Sequence, residues 1–79
     1  MWCKIISIEK QLNYNGKEIL VIKFNFGENL KYTKLSKSAL DYWKNVRKIQ
    51  EFKVEQEINV IEQYNDKYKK MLYKIIEVK

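Results

Sequence analysis

Apolar and polar positions alternate with period two through the first third of the chain. Residues 2–12 (WCKIISIEKQL) are rich in Ile, with Ile6 and Ile8 set among the polar positions Ser7 and Glu9. Residues 18–26 (EILVIKFNF) place Leu20, Ile22, Phe24 and Phe26 on one face and Ile19, Val21, Lys23 and Asn25 on the other. Successive side chains of a strand point to opposite faces, so this pattern predicts half-buried strands. Between the two runs stands Asn13-Tyr14-Asn15-Gly16-Lys17. Asn and Gly both tolerate positive φ, and the pair predicts a hairpin. The Leu20–Phe26 face is assigned to the core, while the opposite face turns polar toward its end and is free to carry a ligand. Gly27-Glu28-Asn29 marks another turn, and residues 30–35 (LKYTKL) predict a shorter third strand.

The period changes after Leu35. Ser36 or Ser38 can cap the orphan N–H groups of a helix start. Ala39, Trp43, Val46 and Ile49 or Gln50 then share one helical face, and Lys37, Asp41, Lys44, Lys48 and Glu51 the other. This predicts an amphipathic helix from Ser36 to about Phe52, with Trp43 as its core anchor.

The last third admits two readings. With period two, residues 54–64 and 70–78 form two strands joined by Tyr64-Asn65-Asp66-Lys67-Tyr68. With heptad spacing, Ile58, Ile61, Asn65, Tyr68, Leu72 and Ile75 line one helical face, and no Gly or Pro after Gly27 interrupts it. The β-branched pairs Val60-Ile61 and Ile75-Ile76 and the poor helix interior at Asn65-Asp66 favour strands. The fold class is thus mainly β with one helix, in the order β-β-β-α-β-β. The alternative is an α+β chain with an N-terminal hairpin and two C-terminal helices.

That order, carried by the Asn15-Gly16 hairpin, the third strand ending at Leu35, the helix from Ser36 and the Tyr64–Tyr68 hairpin, resembles the OB-fold. This is a small five-stranded barrel with its helix between strands three and four. In outline it is similar to the small single-stranded DNA-binding proteins of bacteria and phages. The resemblance rests on element order and length, and it departs from small barrels in having no glycine around Lys53-Val54-Glu55. It implies a binding face on strands two and three, walled by the loops after strands one and four. The residues falling there are Tyr14 and Lys17 in the first loop, Lys23 and Asn25 on strand two, and Lys31 and Thr33 on strand three. Tyr64, Lys67 and Tyr68 fall in the last loop. Tyr32, of opposite parity to Lys31 and Thr33, is expected to face the core.

Charge sharpens the expectation. Sixteen Lys and Arg oppose ten acids, with no His, a net of +6, and six Tyr and two Trp are interspersed. Residues 1–48 and 63–79 are basic, while residues 49–62 hold Lys53 against Glu51, Glu55, Glu57 and Glu62. Basic surface with stacking rings suits single-stranded nucleic acid, DNA or RNA. A second source of the excess is open, since Lys, Asn, Ile and Tyr all have AT-rich codons. Arg47 is the single arginine, and lysine lacks the bidentate fork that reads guanine, so sequence-tolerant binding is expected.

Catalysis finds little support. Without His there is no Ser-His-Asp or Cys-His arrangement, and the usual zinc ligands are missing. The two glycines are isolated and form no phosphate loop. Glu55 and Glu57, on one face of strand four, read as a solvated edge. No enzyme activity, cofactor or metal is therefore expected. Cys3 alone allows no internal disulfide and reads as a small buried side chain in a reducing, cytoplasmic protein. No apolar run approaches the roughly 20 residues of a membrane span, and no signal-peptide stretch is expected at the start. A single domain of 79 residues has a modest core, which a homo-oligomer would help. Two function classes remain: a module binding single-stranded nucleic acid, and a phage- or mobile-element-encoded factor gripping a host protein, as an inhibitor or accessory subunit, through its acidic segment or an exposed strand.

Overall fold

The computed structural model describes residues 1–79 as five strands and one helix. The Ile-rich first run forms β1 (Trp2–Leu12), which pairs antiparallel with β2 (Glu18–Phe26). Asn13 organises the turn between them, its Oδ1 accepting from the Asn15 and Lys17 amides at 2.9 and 3.0 Å. Gly16 supplies the positive φ of 77° there. β2 then pairs antiparallel with β3 (Asn29–Ser36) across Gly27, which also has positive φ.

One register detail departs from the expected alternation. β1 carries a bulge between Ile5 and Ser7. The extra residue shifts the parity of the strand, so Ile5 and Ile8 turn inward while Ile6 is exposed rather than sharing a face with Ile8.

Ser36 caps α1 (Lys37–Asn45), its hydroxyl accepting from the Ala39 amide at 3.3 Å. The helix is shorter than its periodicity suggests. Lys48 enters the left-handed region at φ 62°, and the Ile49 amide folds back onto the Trp43 carbonyl at 2.9 Å. Phe52 therefore reaches the core from an irregular connector, meeting the Trp43 ring edge-on at a centroid distance of 6.0 Å.

The remaining chain forms β4 (Glu57–Asn65) and β5 (Lys70–Val78), an antiparallel hairpin, in place of the heptad helix. Glu55 is not on β4 beside Glu57. It occupies the preceding turn at φ 76°, donating its amide to the Ile5 carbonyl at 2.8 Å. The glycine-free connection is thus made by a glutamate in a glycine-like conformation.

The sheet order is β3-β2-β1-β4-β5. β1 pairs with β4 only from Trp2–Lys4 to Asn59–Glu57, so the outer half of the β4–β5 hairpin projects beyond it as an arm. Ten buried side chains make one core cluster: Cys3, Ile5, Ile22, Phe24, Leu35, Trp43, Phe52, Ile58, Val60 and Ile75. No helix is long and apolar enough to cross a membrane.

The sheet is open, with β3 and β5 as its edges. The edges approach each other without a shared ladder. Thr33 Oγ1 donates to the Tyr73 carbonyl at 2.8 Å, and the Tyr73 ring packs edge-on against Phe24 and Phe26, with centroids at 6.0 and 5.3 Å.

Candidate nucleic-acid interface

The register of β2 and β3 sorts their side chains into two sets. Lys31 and Thr33 pair with Phe24 and Ile22, and so take the core side of the sheet. Leu30, Tyr32 and Lys34 pair with Asn25, Lys23 and Val21 on the outer side. The expected face of Lys23, Asn25, Lys31 and Thr33 is therefore divided. Thr33 is 9% exposed and spends its hydroxyl on Tyr73, which withdraws it from any ligand. Tyr32, expected in the core, is 49% exposed. Leu35 decides this parity: it must enter the core ahead of the helix, and period two carries Thr33 and Lys31 inward with it.

The outer face carries a compact arrangement. Tyr32 lies opposite Lys23, and Lys34 Nζ sits 5.9 Å from the Tyr32 ring centroid. Lys23 also faces Glu9 at 4.0 Å, an exposed pair of small energetic weight. Asn25 is exposed beside them. An exposed ring with the Lys34 ammonium beside it offers one flat surface and one unpaired cation.

Where β3 meets β5 the surface sinks into a groove of about 550 Å³ between Leu30–Lys34 and Lys70–Tyr73. A second hollow of about 680 Å³ continues it beneath α1, past Leu35, Tyr42, Arg47, Lys74 and Ile76. Five cations line this seam: Lys31, Lys34, Arg47, Lys70 and Lys74. No carboxylate lines it. None of the five is in an ion pair, since the three salt bridges use Lys23, Lys53 and Lys79. Instead Lys31 and Arg47 lie over the Tyr73 and Trp43 rings, at 5.8 and 5.2 Å. Contacts of this kind hold the cations in place while leaving their charge uncancelled.

The expected loop residues separate. Lys67 and Tyr68 sit at the tip of the β4–β5 arm, with Lys67 and Lys70 ammonium groups 5.5 and 5.9 Å from the Tyr68 centroid. Tyr64 lies on the arm opposite Met71, half-exposed and on the same side as Glu62 and Tyr73. Tyr14 and Lys17 belong to the other end of β2 and β3, where Leu12 meets Glu18 and Ile19 meets Ser36. Tyr14 is 97% exposed and lines neither hollow of the seam. Lys17 shares a hollow with Lys10 and Lys37, but also with Glu18 and Asp41, so its local field is mixed.

Sequence reasoning missed Tyr32, Lys34, Arg47, Lys70 and Lys74. The ring and the four cations were visible in the chain, but only the approach of β3 to β5 and α1 brings them together. Cys3 is buried, and its thiol is pushed above the usual range by that burial, with the N-terminal ammonium acting the other way. That environment makes it a poor nucleophile. No group of three or more Cys, Asp or Glu side chains converges to hold a metal ion.

Comparison with protein-family models, with curated proteins and with solved structures finds no match for this chain.

Proposed function

We propose that this protein is a binding module for single-stranded DNA or RNA, not an enzyme, and that the strand lies along the β3–β5 seam. The observation that carries the reading is the set of five unpaired cations lining two adjoining hollows free of carboxylates, with the exposed Tyr32 ring on the wall of the first. Phosphates would take the place of the missing anions, and Tyr32 would stack a base. Tyr68, between Lys67 and Lys70 at the arm tip, extends the same chemistry. With one arginine among the five, the site has little means of reading base edges, and binding is sequence-tolerant.

The sheet order and the Thr33–Tyr73 bridge support an OB-like barrel closed across this seam, with the ligand face displaced from β2–β3 toward β3–β5. A free, buried Cys3 suits a reducing compartment such as the cytoplasm.

The test is fluorescence anisotropy of labelled single-stranded and duplex oligonucleotides at several salt concentrations. If all five cations meet phosphates, log K falls against log salt with a slope of about −3.5. Salt-insensitive binding, or none at low salt, would overturn the reading. It would turn attention to a protein partner for the exposed Glu51 and Glu55 connector.

A further inference from the structure

β4 is nine residues long, yet its ladder with β1 covers only Glu57–Asn59. Val60 closes that ladder: its amide donates to the Met1 carbonyl at 2.8 Å, and its carbonyl accepts from the Met1 ammonium at 2.8 Å. Backbone direction alternates along a strand, so Glu62 and Tyr64 aim their N–H and C=O groups to the same side as Val60. Across the hairpin, Tyr73 opposes Glu62 and aims its carbonyl the other way, at Thr33. Glu62 and Tyr64 thus present two donors and two acceptors along an uncovered edge. Edge strands are ordinarily blunted by charged side chains, above all Lys, by Pro or by a bulge. The free stretch Ile61-Glu62-Gln63-Tyr64-Asn65 holds no Lys or Pro and a single charge, Glu62, and the nearest bulge lies before it, between Asn59 and Val60.

We propose that this edge pairs with the same edge of a second copy, making a two-fold antiparallel dimer centred on Gln63. The register follows from charge and direction. Pairing centred on Glu62 would set two carboxylates directly opposite each other. Pairing centred on Tyr64 would oppose Glu62 to Asp66 of the second copy. Like charges so placed are destabilising. Centring on Gln63 opposes Glu62 to Tyr64, Ile61 to Asn65, and Gln63 to itself, with no like charges directly opposed.

The same register makes Glu62 and Tyr64 a hydrogen-bonded pair twice over, which uses all four free groups of each copy. Gln63 is also the midpoint of the free stretch, which Met1 limits at one end and the turn after Asn65 at the other. The occupant that fits this edge is therefore a second copy of the chain, in an isologous contact. The seam lies on the opposite edge of the hairpin and stays open, so the inference does not rest on nucleic-acid binding.

Sedimentation equilibrium tests it. The wild-type mass should rise from 9.7 kDa toward twice that value as concentration increases. Gln63→Lys and Gln63→Glu each place like charges across the two-fold axis, so each alone should remain at the monomer mass. Their equimolar mixture should recover the dimer. A wild type that stays monomeric, or Gln63→Lys dimerising as wild type does, overturns the proposal. Amide exchange of the unmodified protein gives a readout without a variant. The Glu62 and Tyr64 amides should slow as concentration rises, and rates independent of concentration overturn the proposal as well.

Discussion

Thr33 and Tyr73, forty residues apart in sequence, are joined by a 2.8 Å hydrogen bond from a side-chain hydroxyl to a main-chain carbonyl. It is the one hydrogen bond between β3 and β5 in which a side chain takes part, and it spans the two edges of the sheet. Thr33→Val keeps the shape and removes the donor, which should cost about 1 kcal/mol. Urea unfolding should show the lower midpoint. Amide exchange on β5 should quicken before that on β1, because the seam opens locally. An unchanged midpoint would mean that ring packing alone holds the edges together.

Substitution of Tyr32 tests the proposed recognition apart from stability. It projects outward and contributes nothing to the core cluster. Tyr32→Ala should weaken single-strand binding by about 1–3 kcal/mol, the range for a lost stacking platform, with the thermal midpoint preserved. Tyr14→Ala, at the far end of the strands, should leave affinity as it was. Anisotropy titration of both variants checks the pair, and equal losses would place the ligand elsewhere.

Glu55 holds φ 76° in the turn that leads into β4. A side chain there bears a steric cost that glycine avoids. Its amide is bonded to the Ile5 carbonyl, and glycine retains that bond. Glu55→Gly should therefore stabilise the protein, by about 1 kcal/mol at most once the greater freedom of the unfolded chain is subtracted. Denaturant titration measures it; a clear loss of stability would show that the carboxylate has a partner role.

Burial raises the Cys3 thiol above its ordinary 9.0. A group harder to ionise in the folded chain contributes stability that is fully present below its unfolded pKa and is lost as pH rises through the folded one. The stability advantage of wild type over Cys3→Ala should hold from neutral pH to about 9 and shrink above it. Parallel urea titrations across that range test the sign, and an advantage that grows with pH would contradict it.

Much of the architecture was legible in the chain. Period-two runs, Asn15-Gly16 and Ser36 specify strands, hairpin and helix start through local steric and hydrogen-bonding preferences, and those act within a few residues. The same locality explains the misreadings. The bulge between Ile5 and Ser7 and the helix end near Lys48 answer to packing against β4 and Trp43, which period alone does not register. Tyr32 had an ambiguous neighbourhood, with Leu30 on its own parity and Leu35 on the other. Only pairing with β2 resolved which set lay inward.

What the sequence determined by itself was the supply: a basic chain with aromatic rings, no imidazole, and elements in the order β-β-β-α-β-β. What the tertiary structure decided was convergence. Lys31 and Lys34 stand far along the chain from Lys70 and Lys74, with Arg47 between, and no local preference relates them. They line adjoining hollows of one seam because the β4–β5 hairpin returns β5 to the side of β3, where a threonine and three aromatic rings hold it. Side-chain chemistry is written residue by residue, but a site is a distance between residues. That distance is set by which strands find each other when the core is buried.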